Sequence, residues 1–184
     1  MVLHYEKNVV SAYRMWFWNF IGGISMSMIG NFGMCAESDY NSLVAAVRND
    51  QLDTADDWIG KICNELENST AILENDQCSG EVFLAIFQYF KSEYAVDIYG
   101  NEDMRKLNER WREVTGDYDI TVFTQKEKTQ FLSLIDQIDY DHVMQYVDDF
   151  YQNDYGNAGQ VACKVLFENL RRMKPDNVLL WHLC

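Results

Sequence analysis

The sequence predicts an all-α fold, an irregular multi-helix bundle of amphipathic helices and helical hairpins with at most a minor, two-stranded β element. Apolar residues recur at three- and four-residue spacing along most of the chain, which is the period of a helix with one buried face. The 184 residues include a single proline and ten glycines, too few turn-forming residues for a strand-rich fold. No change of composition divides the chain, so we expect one domain over residues 1–184, with about 60% or more of it helical.

Residues 15–36 form an uncharged segment, MWFWNFIGGISMSMIGNFGMCA, which is long enough to cross a membrane. Its two asparagines, two serines and four glycines lower its hydropathy below that of a membrane span. We therefore expect a helix over residues 2–20 and a buried, glycine-containing segment over residues 21–34, both packed on the core. Contact with a membrane is the alternative.

The rest of the chain is typical of amphipathic helices joined by short polar connections. Helices are predicted over residues 38–47, 101–114, 125–138, 140–153 and 158–173, with two more that begin at caps on Asp53 and Ser79, the second ending near Gly100. Thr124 and Glu127 form a capping box. Residues 118–123 alternate like a strand, but a lone strand has no partner, so we expect an extended connector there. The apolar tail, residues 178–183, is expected to dock on the core. The aromatic residues expected in the core are Trp16, Phe20, Phe83, Phe87, Phe90 and Trp111.

The charge of the chain restricts its partners. Fifteen basic residues against 29 acidic residues give a formal charge of −14. Such a surface repels the phosphates of nucleic acids and of anionic membranes, so we expect no direct nucleic-acid binding. The low hydropathy of residues 15–36 leads us to expect no membrane span. The acidic surface attracts basic proteins and accelerates their encounter. The alternative explanation is that the charge serves solubility alone.

The cysteines favour a reducing compartment. There are five of them, an odd number, and no C-x-x-C spacing occurs. Disulfide frameworks need close, even sets of cysteines in an oxidising environment, so we expect free thiols and a cytoplasmic protein.

No catalytic signature is present, so we expect neither an enzyme nor a cofactor. The sequence lacks G-x-S-x-G, the P-loop, H-E-x-x-H and the EF-hand loop. One carboxylate cluster, Asp136 to Asp149 with His142, could hold Mg²⁺ or Mn²⁺ in a metal-dependent hydrolase. Its aspartates lie on the outside of one predicted amphipathic helix, however, whereas ligands usually converge from several elements. A solvated acidic face is the favoured interpretation.

The same stretch, DQIDYDHVMQYVDDFYQNDY, is the best candidate for a binding surface. No lysine or arginine occurs between Gln130 and Ala158, although six aspartates do, and tyrosines are interleaved with them. Carboxylates beside tyrosines suit an interface with a basic protein, while the alternative is that the tyrosines are half-buried core. The candidate partner-binding residues are Asp136, Asp139, Tyr140, Asp141, Gln145, Asp148, Asp149, Tyr151, Gln152, Asp154 and Tyr155. Secondary candidates, from an acidic tract over residues 50–76, are Asp53, Asp56 and Asp57.

With these two acidic stretches, the chain resembles bacterial toxin-immunity proteins of the contact-dependent growth-inhibition type. The resemblance is one of overall profile: small, acidic, helical, reduced and without catalytic motifs. It implies tight one-to-one binding to a basic toxin domain with nuclease activity, covering the active site or the substrate groove of the toxin. A phage-type inhibitor whose acidic surface mimics DNA is the alternative within the class of binding proteins.

Overall fold

The computed structural model describes residues 30–67, 80–99, 102–117 and 119–183. Helices account for 68% of these residues, which confirms a mostly helical chain with a minor β element. Several predictions lie outside the described residues: the helix over residues 2–20 with Trp16 and Phe20, most of the segment 21–34, and the roles of Ser79 and Gly100.

Seven α-helices and three strands follow one another along the described chain. They are β1 (Gly30–Ala36), α1 (Glu37–Arg48), α2 (Leu52–Glu67), α3 (Gly80–Tyr94), α4 (Glu102–Thr115), β2 (Asp119–Phe123), α5 (Gln125–Leu132), a 3-10 helix (Ile135–Gln137), α6 (Tyr140–Tyr151), α7 (Ala158–Arg172) and β3 (Asn177–Leu183). The capping box of Thr124 and Glu127 is confirmed at the start of α5. Asp53 is not a cap, because α2 begins one residue before it.

The three strands form one antiparallel sheet in the order β1-β3-β2. The expectation of a connector over residues 118–123 is wrong, because the C-terminal tail supplies the partner that a lone strand would lack. The tail docks on the core as predicted, but as the central strand, with Trp181 opposite Phe32 on one side and Thr121 on the other. The sheet therefore has three strands, one more than expected.

Helices cover both faces of this sheet. Alternate residues of β3 enter two different cores: Leu179 and Trp181 pack with α3, α5, α6 and α7, whereas Val178 and Leu180 pack with α1, α2 and α4. All four side chains are at most 1% exposed. A strand buried on both faces has a continuous apolar run in place of alternation, which is why the sequence Val-Leu-Leu-Trp gave no strand pattern.

The predicted aromatic core is confirmed wherever it can be observed. Phe83, Phe87, Phe90 and Trp111 are buried. Phe87 lies at the centre, with its ring 5.1 Å from that of Trp181 in an edge-to-face arrangement. None of the described helices is both long and apolar enough to span a membrane.

Candidate partner-binding surface

Helix α6 carries most of the predicted binding residues, and its orientation is fixed at both ends. At the start, the Asp139 side chain accepts hydrogen bonds from the backbone N–H groups of Asp141 (3.0 Å) and His142 (3.3 Å). Along its length, Val143 and Val147 are fully buried against α7 and the rest of the core. The opposite side of α6 must therefore face solvent.

That exposed side brings together the polar residues that the helical period predicts. Asp141, Gln145 and Asp149 are all exposed, and Gln152 ends the helix in a left-handed conformation with φ of 55°. Positions four, eight and eleven residues after Asp141 share one face of a helix. We call this surface the acidic face; its members are Asp136, Asp139, Asp141, Gln145, Asp148, Asp149, Gln152 and Asp154.

Some of these aspartates also shape the local backbone. Asp148 accepts the N–H of Tyr155 at 2.8 Å, and Asp154 accepts the N–H of Gly156 at 2.8 Å. Together with the cap at Asp139, these bonds hold the two ends of α6. Substitution of any of the three would alter structure as well as charge, which matters for the choice of variants.

The predicted tyrosines, in contrast, are turned inward. The Tyr151 hydroxyl donates to the carbonyl oxygen of Glu81 at 2.7 Å, and the Tyr155 hydroxyl donates to the Glu81 carboxylate at 2.9 Å. Burial raises the pKa of both phenols above its usual value. Tyr140 is half-buried beside Lys164, whose Nζ lies 5.6 Å from the ring centroid. The tyrosines thus fix α6 to its neighbours, and the outward surface is made of carboxylates and amides.

The acidic face lacks internal neutralisation. None of its six aspartates forms an ion pair with any residue of the described chain. Many cations elsewhere form ion pairs within the molecule, above all in the layer of α1, α2 and α4. The pairs that connect these three helices include Arg48–Asp103 at 2.5 Å, Lys61–Asp39 at 2.6 Å and Arg110–Asp56 at 2.5 Å.

The acidic tract over residues 50–76, which we call the secondary tract, is partly neutralised by these ion pairs. Arg110 donates two hydrogen bonds to Asp56, of 2.6 and 2.5 Å. Asp53 and Asp57 are exposed on α2 and form no ion pair with a described residue. Among its described residues, the tract therefore offers fewer unpaired carboxylates than the acidic face.

The carboxylates do not converge as metal ligands would. Over residues 30–67, 80–99, 102–117 and 119–183, no group of three or more His, Cys, Asp or Glu side chains could hold an ion. The ring of His142 packs edge to face on Tyr89, with centroids 5.5 Å apart. The metal-site hypothesis for the Asp136–Asp149 cluster thus gains no geometric support from the described residues.

The sequence analysis did not identify Glu81, a residue of α3. Glu81 accepts hydrogen bonds from Tyr151 and Tyr155, two of the predicted binding residues. The sequence separations of 70 and 74 residues carry no local signal that could have revealed these contacts. The spacing of residues along α6 predicts which side chains share a face of the helix. It does not predict which distant group accepts a hydrogen bond from a tyrosine hydroxyl.

Comparison of the chain with protein-family models, with curated proteins and with solved structures finds no match in any of the three.

Proposed function

We propose that this chain is an acidic inhibitor of the toxin-immunity kind. It binds a basic toxin domain with nuclease activity through the acidic face and neutralises it by covering the active site or the substrate groove. The observation that carries the proposal is the run of six aspartates, residues 136–154, with no cation of the described chain paired to any of them.

Unpaired carboxylates at this density repel one another, and each like-charge pair on a helix is slightly destabilising. A partner that supplies lysines or arginines removes this repulsion on binding. The complementary potentials also raise the rate of encounter, because oppositely charged surfaces attract over several ångströms.

A nuclease suits this chemistry because its substrate groove must attract phosphates with basic side chains. A carboxylate surface competes for the same cations. The free thiol of Cys35 agrees with action in a reducing cytoplasm.

The structure allows a closely matched pair of charge reversals. Asp141 and Asp53 each lie in the first turn of a helix, in α6 and α2 respectively, and Asp149 and Asp57 are exposed further along the same helices. The double variant Asp141→Lys/Asp149→Lys therefore tests the acidic face, and Asp53→Lys/Asp57→Lys changes the net charge equally at the secondary tract. Asp148 is avoided because it binds the backbone of Tyr155.

The experiment titrates the chain into a nuclease assay with the basic C-terminal domain of a toxin encoded in the neighbouring reading frame. We expect stoichiometric inhibition by the wild type and by the α2 variant, and weak inhibition by the α6 variant. Equal inhibition by all three proteins would show that the acidic face is only solvated surface. Loss confined to the α2 variant would move the site to the secondary tract.

A further inference from the structure

A cleft with an apolar floor lies where the start of α6 and the 3-10 helix meet α7. Its volume is about 390 Å³, within the range of small-molecule sites. Its lining consists of Ile135, Tyr140, Lys164, Val165, Phe167, Glu168 and Arg171. The cleft adjoins the acidic face but is not made of its residues.

The α7 side of this cleft has a charge opposite to that of the whole molecule. From Lys164 to Lys174 the chain has four cations and one carboxylate, in a protein whose formal charge is −14. The single carboxylate, Glu168, lies 3.8 Å from Arg171 and 3.3 Å from Arg172. Two arginines therefore share one counter-charge, and the rim keeps an excess of positive charge.

Lys164 adds a positive charge to the cleft. Its ammonium lies over the Tyr140 ring and forms no ion pair with a described residue, although carboxylates outnumber cations almost two to one in the chain. Of the two aspartates next to Tyr140 in sequence, Asp139 directs its carboxylate to the backbone N–H groups of α6, and Asp141 is exposed on the acidic face. Asp136, which follows Ile135 in the 3-10 helix, is exposed and adds one negative charge to that helix.

We propose that this cleft binds a small organic anion with a flat apolar body, such as an aryl carboxylate or aryl sulfonate. The apolar body lies on the half-buried Ile135 and Val165, and the anionic group pairs with Lys164 and Arg171. Burial of apolar area supplies affinity, and the two cations select for negative charge. This binding site is independent of the proposed function.

The test uses anilinonaphthalene sulfonate as the probe and N-phenylnaphthylamine, which lacks the sulfonate, as its neutral counterpart. Fluorescence titration should show one saturable site that prefers the sulfonate. Methyl resonances of Ile135 and Val165 should shift in NMR spectra, whereas those of the exposed Val114 should not.

Matched variants locate the anion. Lys164→Gln and Arg171→Gln should each weaken binding of the sulfonate roughly threefold to tenfold, the usual effect of one charged contact at a partly exposed site. Their controls are Lys126→Gln, on α5 outside the cleft, and Arg172→Gln, which also pairs with Glu168. Circular dichroism verifies that each variant is folded.

Three results would overturn the proposal: no saturable binding, equal affinity for the two probes, or equal effects of the cleft variants and their controls. Shifts outside the cleft methyls would likewise place the probe elsewhere.

Discussion

Asp119 is a carboxylate held away from water at the start of β2. Burial raises its pKa to about 6 from 3.8, against the opposing effects of the Ile120 N–H and of the Arg112 charge. The folded state then binds the proton more tightly than the unfolded state does. Stability from this group is therefore complete below pH 3.8 and is lost as the pH rises through about 6.

We predict that Asp119→Asn removes this pH dependence, since the amide does not ionise. The free energy of unfolding of the variant should equal that of the wild type near pH 4 and exceed it above pH 6. Urea unfolding at a series of pH values measures the difference. His182 on β3 titrates in both proteins, with its pKa lowered by burial, and its contribution cancels in the comparison. A difference independent of pH would contradict the assignment.

Phe87 supports the core that the sheet forms with α3, α5, α6 and α7, in contact with the rings of Phe83, Tyr99, Phe123 and Trp181. We predict that Phe87→Ala lowers the free energy of unfolding by about 3–5 kcal/mol, the usual loss for a buried aromatic side chain. The control Val114→Ala, at a position 40% exposed on α4, should change it by about 0.5 kcal/mol or less. Thermal unfolding followed by circular dichroism makes the comparison, and similar effects of the two changes would contradict it.

Single residues show where sequence reasoning stops. The helical period correctly placed Asp141 and Asp149 on the outside of α6. It could not tell that Tyr151 turns inward, because that depends on an acceptor at Glu81 from another helix. Long-range hydrogen bonds have no local sequence signature.

At the scale of elements, the α6–α7 hairpin depends on close approach of its two helices. A Cβ atom added at Gly159 would lie 3.1 Å from Val147 Cγ2 and 3.2 Å from Val143 Cγ1. Glycine at this position lets α7 approach the buried side of α6, and so it also sets the position of the acidic face.

We predict that Gly159→Val destabilises the protein by about 1–3 kcal/mol, because the larger side chain overpacks the contact. Gly60→Ala in α2 is the control; its Cβ would meet nothing within 4 Å, so the helix should gain about 0.5–1 kcal/mol. Urea unfolding of both variants measures the sign of each change in the free energy of unfolding. An unchanged free energy of unfolding for Gly159→Val would show that the hairpin has room for the larger side chain.

The helices were predictable because each carries its own apolar stripe, whereas the strands were not. Residues 118–123 alternate as a strand should, but the partner lies some sixty residues later in a tail that shows no alternation. Strand pairing depends on residues that are far apart in the sequence. The alternation within residues 118–123 therefore does not show which segment they pair with.

At the scale of the whole molecule, β3 joins both cores, since it pairs with β1 and β2 and lies between the two helical layers. We predict that a chain ending at Asp176 keeps helical far-UV circular dichroism but loses its near-UV signal and cooperative unfolding. A synthetic peptide of residues 177–184 should restore both. Cooperative unfolding of the truncated chain on its own would contradict this role for β3.

Charge is distributed unevenly over the same molecule. Ion pairs connect α1, α2 and α4, cations gather along α7, and the acidic face stays unpaired among the described residues. This separation is the basis of the central claim, that the acidic face binds a basic partner.

The most direct test of that claim is the rate at which the chain associates with the basic toxin domain, measured by stopped flow at increasing salt concentration. Exposed charges are screened beyond about 8–10 Å near physiological ionic strength, so the wild-type rate should fall as salt is added. Asp141→Lys/Asp149→Lys should be slow at low salt and nearly insensitive to it, while Asp53→Lys/Asp57→Lys should keep most of the wild-type rate and salt dependence. Equal rates and equal salt dependence for all three proteins would contradict the claim.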